Sequence, residues 1–412
     1  MILLLISALS FLQVDDDAAD SIRNPNVTVE SLPQLAIADA MYPGMQRDQS
    51  GVLHLWYFRE ADGVKRLEMR RLLDAEFTAP VLVSASDKMM VNWADTPRFA
   101  SGKDGSGIIT WLESNGHGYG VKFAFSREAG AAFTEPRWLH QDQVGAEHGF
   151  VSIVALGDGG FFGVWLQGGN FGSNGEYQTS LMGVVINADG SLADKEIVLD
   201  ALVCDCCDTD SAIFASGNVV VTYRDRNSEE HRDTYYVRGN PLQPDSFTAA
   251  MPVGAGGWKI TTCPVNGPAL DNSSRHAALA FFTDKEWTAP RLQIAQSKSS
   301  GKTFGLPLIV SAFGTLGRAD VAYLPEGLAS VAWLQEIDDE VWWVAKAIPR
   351  KGMAGPLSKI AQVSGARSAG FISLAAGEDG VIAAYTDKGK LSFSSIKLKQ
   401  AAVDLPKGQP EK

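Results

Sequence analysis

The feature that most constrains this chain is an internal repeat: a short apolar strand closed by an aromatic residue recurs seven times. The closing residues are Trp56, Trp111, Trp165, Tyr223, Phe282, Trp333 and Tyr385, spaced 51 to 59 residues apart. A fixed period of this length built from strand-like segments belongs to radially repeated all-β folds, because one small sheet cannot cover its own apolar faces. Without the repeat, 412 residues would suggest roughly three separate domains. With it, one large ring is expected.

Each unit repeats more than its aromatic. An apolar strand ending in a Gly- or Asp-containing turn comes first and the aromatic strand follows within a few residues, which is the pattern of a hairpin. A third strand follows, and a fourth is introduced by the cassettes Phe77-Thr-Ala-Pro80, Phe133-Thr-Glu-Pro136, Phe247-Thr-Ala-Ala250 and Phe304-Gly-Leu-Pro307. The sequence therefore predicts an all-β protein, a seven-bladed β-propeller of four-stranded antiparallel blades over residues 21–398, with six blades as the alternative count. The seventh unit supplies only three strands. The segment Asn26-Val-Thr-Val-Glu30 is expected to supply its fourth, with Val27 to Val29 pairing with Leu391 to Ile396, so that the closed ring leaves no long open edge.

At the N-terminus, the apolar run Ile2 to Leu12 precedes Asp15-Asp16-Asp17, so residues 1–20 read as a signal peptide and the protein as periplasmic or extracellular. Residues 399–412 read as a disordered tail. With 36 basic against 48 acidic side chains and a net charge of −12, generic nucleic-acid binding is excluded as an expectation. No apolar run of membrane-spanning length occurs in the sequence. The expected partner is a small molecule or glycan, bound by a monomer.

Two segments, Ser126-Arg-Glu128-Ala-Gly130-Ala-Ala-Phe133 and Ser297-Lys-Ser299-Ser-Gly301-Lys-Thr303-Phe304, resemble the Asp-box (BNR repeat) of sialidase-superfamily propellers, each without its Asp. They fall between the third and fourth strands of units two and five. Longer stretches, among them Asn92-Trp-Ala-Asp95, Cys204-Asp-Cys-Cys-Asp-Thr-Asp210 and Tyr223-Arg-Asp-Arg226, are similar to bacterial exported proteins labelled exo-α-sialidases. The resemblance implies a propeller of that superfamily. It carries over no catalytic residue, since the Phe/Tyr-Arg-Ile-Pro motif is absent.

In a propeller, the links between successive blades and the loops joining second to third strands share one face around the central channel, where a rigid ring can present several loops to one spot. Those links hold the unusual residues of this chain. For an anionic glycan, Arg224, Arg226 and Arg318 are candidate carboxylate forks, and Trp93 and Trp258 candidate stacking faces. Glu147 and Asp95 are the carboxylates placed for acid–base work, and no Tyr–Glu pair is recognisable. All four cysteines lie in two adjacent links. Cys204, Cys206, Cys207 and Cys263 are read either as disulfides or, with His148, as ligands for copper or zinc. A third reading is a face that recognises another protein.

Overall fold

The computed structural model describes residues 25–400, apart from 129, 143–145, 172–174, 176, 286–289, 325–326, 352 and 378–379. The expected signal peptide and most of the expected tail lie outside the described residues. Strands fall into seven sheets, and among the described residues there is no α-helix. Blade 1 comprises Ala40–Arg47, Leu53–Ala61, Val64–Leu73 and Val81–Ser86, and blade 2 Arg98–Ser101, Gly107–Ser114, Tyr119–Ser126 and Arg137–Trp138. Blade 3 is His148–Ala155, Phe161–Phe171, Tyr177–Ile186 and Ile197–Val203. Blade 4 is Asp210–Ile213, Val219–Arg224, Thr234–Gly239 and Met251–Pro252. Blade 5 is Ala269–Ser273, His276–Thr283, Arg291–Ser297 and Leu308–Ser311, and blade 6 Thr315–Leu324, Leu328–Ile337, Glu340–Pro349 and Ser358–Gln362. Blade 7 takes Ser373–Gly377, Gly380–Asp387 and Lys390–Gln400 from the C-terminus and Pro25–Ser31 from the N-terminus. The fold is a seven-bladed β-propeller.

Closure joins the two ends of the chain, with the register displaced from the expected one. Val27 pairs with Leu398 and Val29 with Ile396, whereas Leu391 pairs with Ile37. The last strand runs to Gln400, so residues 399–400 belong to the blade and not to a tail. The repeating aromatics are all on second strands and all buried, where they fill the space between neighbouring sheets. In three blades the indole is also satisfied locally: Trp111, Trp165 and Trp333 each donate Nε1–H to the side chain two residues on, Glu113, Gln167 and Gln335. The threonine of the cassette pins the fourth strand to the third. Thr78, Thr134 and Thr248 each donate their N–H to the carbonyl of Arg71, Phe125 and Arg238 and accept the N–H of that same residue on Oγ1.

Adjacent blades are laced together around the channel by a polar side-chain contact at each junction. Asp210, Asp271 and Asp320, on the inner strands of blades 4, 5 and 6, each accept their own next N–H on Oδ1. Their Oδ2 atoms accept the N–H of Leu270, Tyr323 and Leu374 on the next inner strand, all at 2.7 Å. Ser373 Oγ accepts Met45 N–H, Gln46 Oε1 accepts Ser101 N–H, Asp95 Oδ2 accepts Phe150 N–H, and the hydroxyls of Ser152 and Ser211 bond each other. Six of these seven contacts satisfy backbone N–H groups of the inner strands and their links, where a buried unpaired group costs about 1–3 kcal/mol.

Burial pushes the carboxyls of Asp271 and Asp320 up to about 7 from a usual 3.8. Across that interval the folded ring holds protons that the unfolded chain has released, so this contribution to stability is full below the interval and is lost as pH rises through it. The buried imidazoles of His140 and His148, held neutral by desolvation, titrate in the opposite sense. The aspartate contribution is therefore read as a difference. The stability gap between wild type and Asp320→Asn should shrink from about pH 4 to about pH 7 and stay constant above; a gap constant across that range, by denaturant titration, would contradict it.

Candidate functional site

The channel mouth is built by strained inner strands. In blades 1, 3 and 6 the register slips between Met41 and Gly44, Gly149 and Ser152, and Gly317 and Asp320. Within these bulges Tyr42, Phe150 and Arg318 take the left-handed conformation, with φ of 53°, 53° and 55°. Each non-glycine residue held there costs about 1–2 kcal/mol, and bulges of this kind re-aim a side chain. Here they gather chemistry at one spot. A Cβ on Gly370 would stand 2.7 Å from the Tyr42 ring, so the blade 7 link passes Tyr42 only as glycine.

Two guanidiniums meet one indole at this spot. The Arg318 fork lies 4.6 Å and that of Arg367 5.8 Å from the ring centre of Trp93, whose other neighbour is Phe371, stacked at 6.0 Å. Arg318 Nη1 donates to the carbonyls of Ala366 and Gly370. Desolvation, followed by the Arg367 charge, pulls Arg318 down to about 10. Among the described residues neither arginine has a carboxylate at ion-pair distance. Trp93 and Phe371 pack on the same apolar cluster as Phe150, Cys204, Cys206 and Cys207.

Beside them, between blades 2, 3 and 4, opens a cavity of about 360 Å³ lined by His117, Tyr119, Glu147, Tyr177, Thr179 and Asp205. Tyr119 donates its hydroxyl to Glu147 Oε2 at 3.4 Å, a Tyr–Glu pair that spacing did not reveal. Burial, with the charges of Asp95 and Glu147, raises the Tyr119 phenol, so it keeps its proton and donates a hydrogen bond to the Glu147 carboxylate.

Several expected site residues serve the scaffold instead. Arg224 is 1% exposed, and its N–H groups go to the carbonyls of Asn266, Arg232 and Phe282. Trp258, 2% exposed, packs edge-on against Phe282 and under the Arg224 guanidinium, so neither face is open to a sugar. Arg226 is bound to Glu230 at 2.5 Å. Asp95, buried and tied to Phe150 N–H, is raised to about 8 by burial and the Asp208 charge; it braces blade 3 and does not reach the open mouth. His148 stacks on His140 at 4.1 Å, with Nδ1 on the Ala146 carbonyl, away from the thiols. Trp93, Arg318 and Glu147 are at the mouth. Tyr42 and Phe371 went unnoticed in the sequence, although Pro43-Gly44 interrupting an apolar strand is a bulge signal. The recurrent glycine before Phe150, Arg318 and Phe371 is a second such signal.

The cysteines form one cluster, and all four are free. Cys204, Cys206 and Cys207 are buried in the link from blade 3 to blade 4, with Cys204 Sγ 3.8 Å from the sulfur of each of the other two. A Cβ on Gly267 would come 2.3 Å from the Asp208 carbonyl, so only glycine there lets the next link lie against this one. That brings exposed Cys263 into a group with Cys206 and Asp205 whose ligand atoms lie within 4.8 Å of one another. Arg232 Nη1 donates to Cys204 Sγ at 3.4 Å and to Asp205 at 3.0 Å.

No family model matches the chain, and no curated protein does. Among solved structures it is similar to the BP39L lectin from Burkholderia pseudomallei, over 92% of this chain and 97% of that one, at 11% identity and a TM-score of 0.58. A protein of unknown function from Dyadobacter fermentans is similar over 82% of this chain and all of its own, at 12% identity and a TM-score of 0.53. An ulvan lyase of polysaccharide lyase family PL25 is similar over 90% and 96%, at 9% and 0.53. At such identities the likeness extends to the propeller fold, and function has to be argued from the chemistry of the mouth.

Proposed function

We propose that the channel mouth binds an anionic glycan, as a monomer in the periplasm or outside the cell. Arg318 and Arg367 take the carboxylate or sulfate, Trp93, set between their forks and Phe371, holds the forks in place, and Tyr42 beside them meets the sugar. The observation that carries this reading is the pair of guanidiniums set over one half-buried indole without a carboxylate partner among the described residues, in a chain of net charge −12. An arginine held down by desolvation and a like charge is relieved by an incoming anion, and the fork matches a carboxylate bidentately. A lectin and an ulvan lyase are among the proteins of similar fold, which fits a glycan ligand. The reading proposed is one of binding, and the Tyr119–Glu147 pair in the neighbouring cavity is where hydrolysis would have to arise.

Calorimetric titration with uronate, sialyl and sulfated oligosaccharides tests it. Arg318→Ala and Trp93→Ala are each expected to weaken binding by about 10- to 100-fold, the loss of one charge-assisted contact or of the indole that positions both forks, with affinity falling as salt rises. Unchanged affinity in both variants would overturn the site. Turnover of an aryl sialoside that is lost in Glu147→Gln would overturn the binding-only reading.

A further inference from the structure

The thiol cluster lies outside the arginine clamp, and its geometry is specific. A metal–thiolate bond of about 2.3 Å places the sulfurs of a tetrahedron about 3.8 Å apart. The two separations from Cys204 to Cys206 and Cys207 have that length, and the three sulfurs all lie within 4.8 Å of one another. Three buried thiols facing one point, each without a bonded partner sulfur, are an arrangement that apolar packing alone does not require.

We infer that Cys204, Cys206 and Cys207 form a centre for one thiophilic d10 cation, Cu(I) or Zn(II). Cys263 stands at its solvent side beside Cys206. Thiolate ligands select these ions over hard cations, and buried sulfur excludes water from the centre. Binding exchanges three S–H bonds for three metal–sulfur bonds and releases three protons to solvent, with no electron transferred. The resulting negative charge is met by Arg232, which touches Cys204 and is itself held by Asp205 and Glu230. Asp205 also lines the cavity that holds Glu147, so the centre adjoins the ligand site without sharing its arginines.

The test uses the full chain, reduced, stripped with chelator and kept anaerobic. Zn(II) and, separately, Cu(I) are titrated against chromophoric competitors, with native mass spectrometry for stoichiometry. One ion per chain is expected, and Cys207→Ser should weaken binding by about a hundredfold or more, Cys263→Ser by clearly less. Because a buried variant can fail to fold, Co(II) loading of the wild type supplies an independent readout: intense thiolate-to-cobalt charge-transfer bands are expected. Absence of those bands, absence of a one-to-one complex with either ion, unchanged affinity in folded Cys207→Ser, or a disulfide among these residues in protein isolated without reductant would each overturn the proposal. Arg318→Ala should keep its metal, so failure here is distinguishable from failure of the glycan reading.

Discussion

Removing residues 25–31 should open the ring and lower the melting temperature by on the order of 10 °C, with a broadened transition. The segment forms seven register pairs with the last strand, and it is the fourth strand of a blade whose other three come from the far end of the chain. Without it the strand Lys390–Gln400 presents a bare edge, and Val27 no longer covers Leu328, Ala347 and Leu398. A loss of about 5 kcal/mol in a domain of this size corresponds to a shift of that order. An edge of this length also invites pairing between chains. Calorimetry with light scattering reads both effects, and adding a peptide of residues 25–36 should restore the melt. A truncated protein that melts with wild type would show that closure contributes little.

Arg224→Ala is expected to be the most damaging single substitution, at about 3–5 kcal/mol, since each buried acceptor left unpaired costs about 1–3 kcal/mol. The guanidinium bonds the carbonyls of Asn266, Arg232 and Phe282, which belong to the link before blade 5, the loop before the third strand of blade 4 and the second strand of blade 5. It thereby holds two blades and the Cys263 link in one arrangement, with Trp258 beneath it at 4.7 Å. Truncation leaves three buried acceptors unpaired and a cavity over the indole. Arg224→Lys should recover little, because one ammonium cannot span the carbonyls that a planar fork reaches. Denaturant unfolding measures the cost; a loss under 1 kcal/mol for the alanine variant would mean that water or a neighbour replaces the arginine easily.

A chain that repeats a hairpin seven times can bury its aromatics only by stacking the units, so blade number, the core role of Trp111, Trp165 and Trp333, and closure by residues 26–30 were all legible from periodicity. Such features depend on local pattern, which each unit states independently. The mouth depends on where links from distant blades converge. Arg224 and Arg318 look alike as residues in one loop face, and each lies over an indole and donates to backbone carbonyls. Yet Arg224 is sealed between blades, while a bulge and a left-handed φ leave Arg318 half-buried beside Trp93 at the mouth. Asp95 and Glu147 likewise differ only in depth: one is sealed under Phe150 and the other opens into a cavity. The meeting of Cys263 with Cys206 followed from neighbouring links. The 3.8 Å separation of the sulfurs and the exclusion of His148 followed from packing. Strand order is set by pattern along the chain, whereas side-chain direction at a bulge is set by what the neighbouring blades leave room for, and no one-dimensional spacing carries that information.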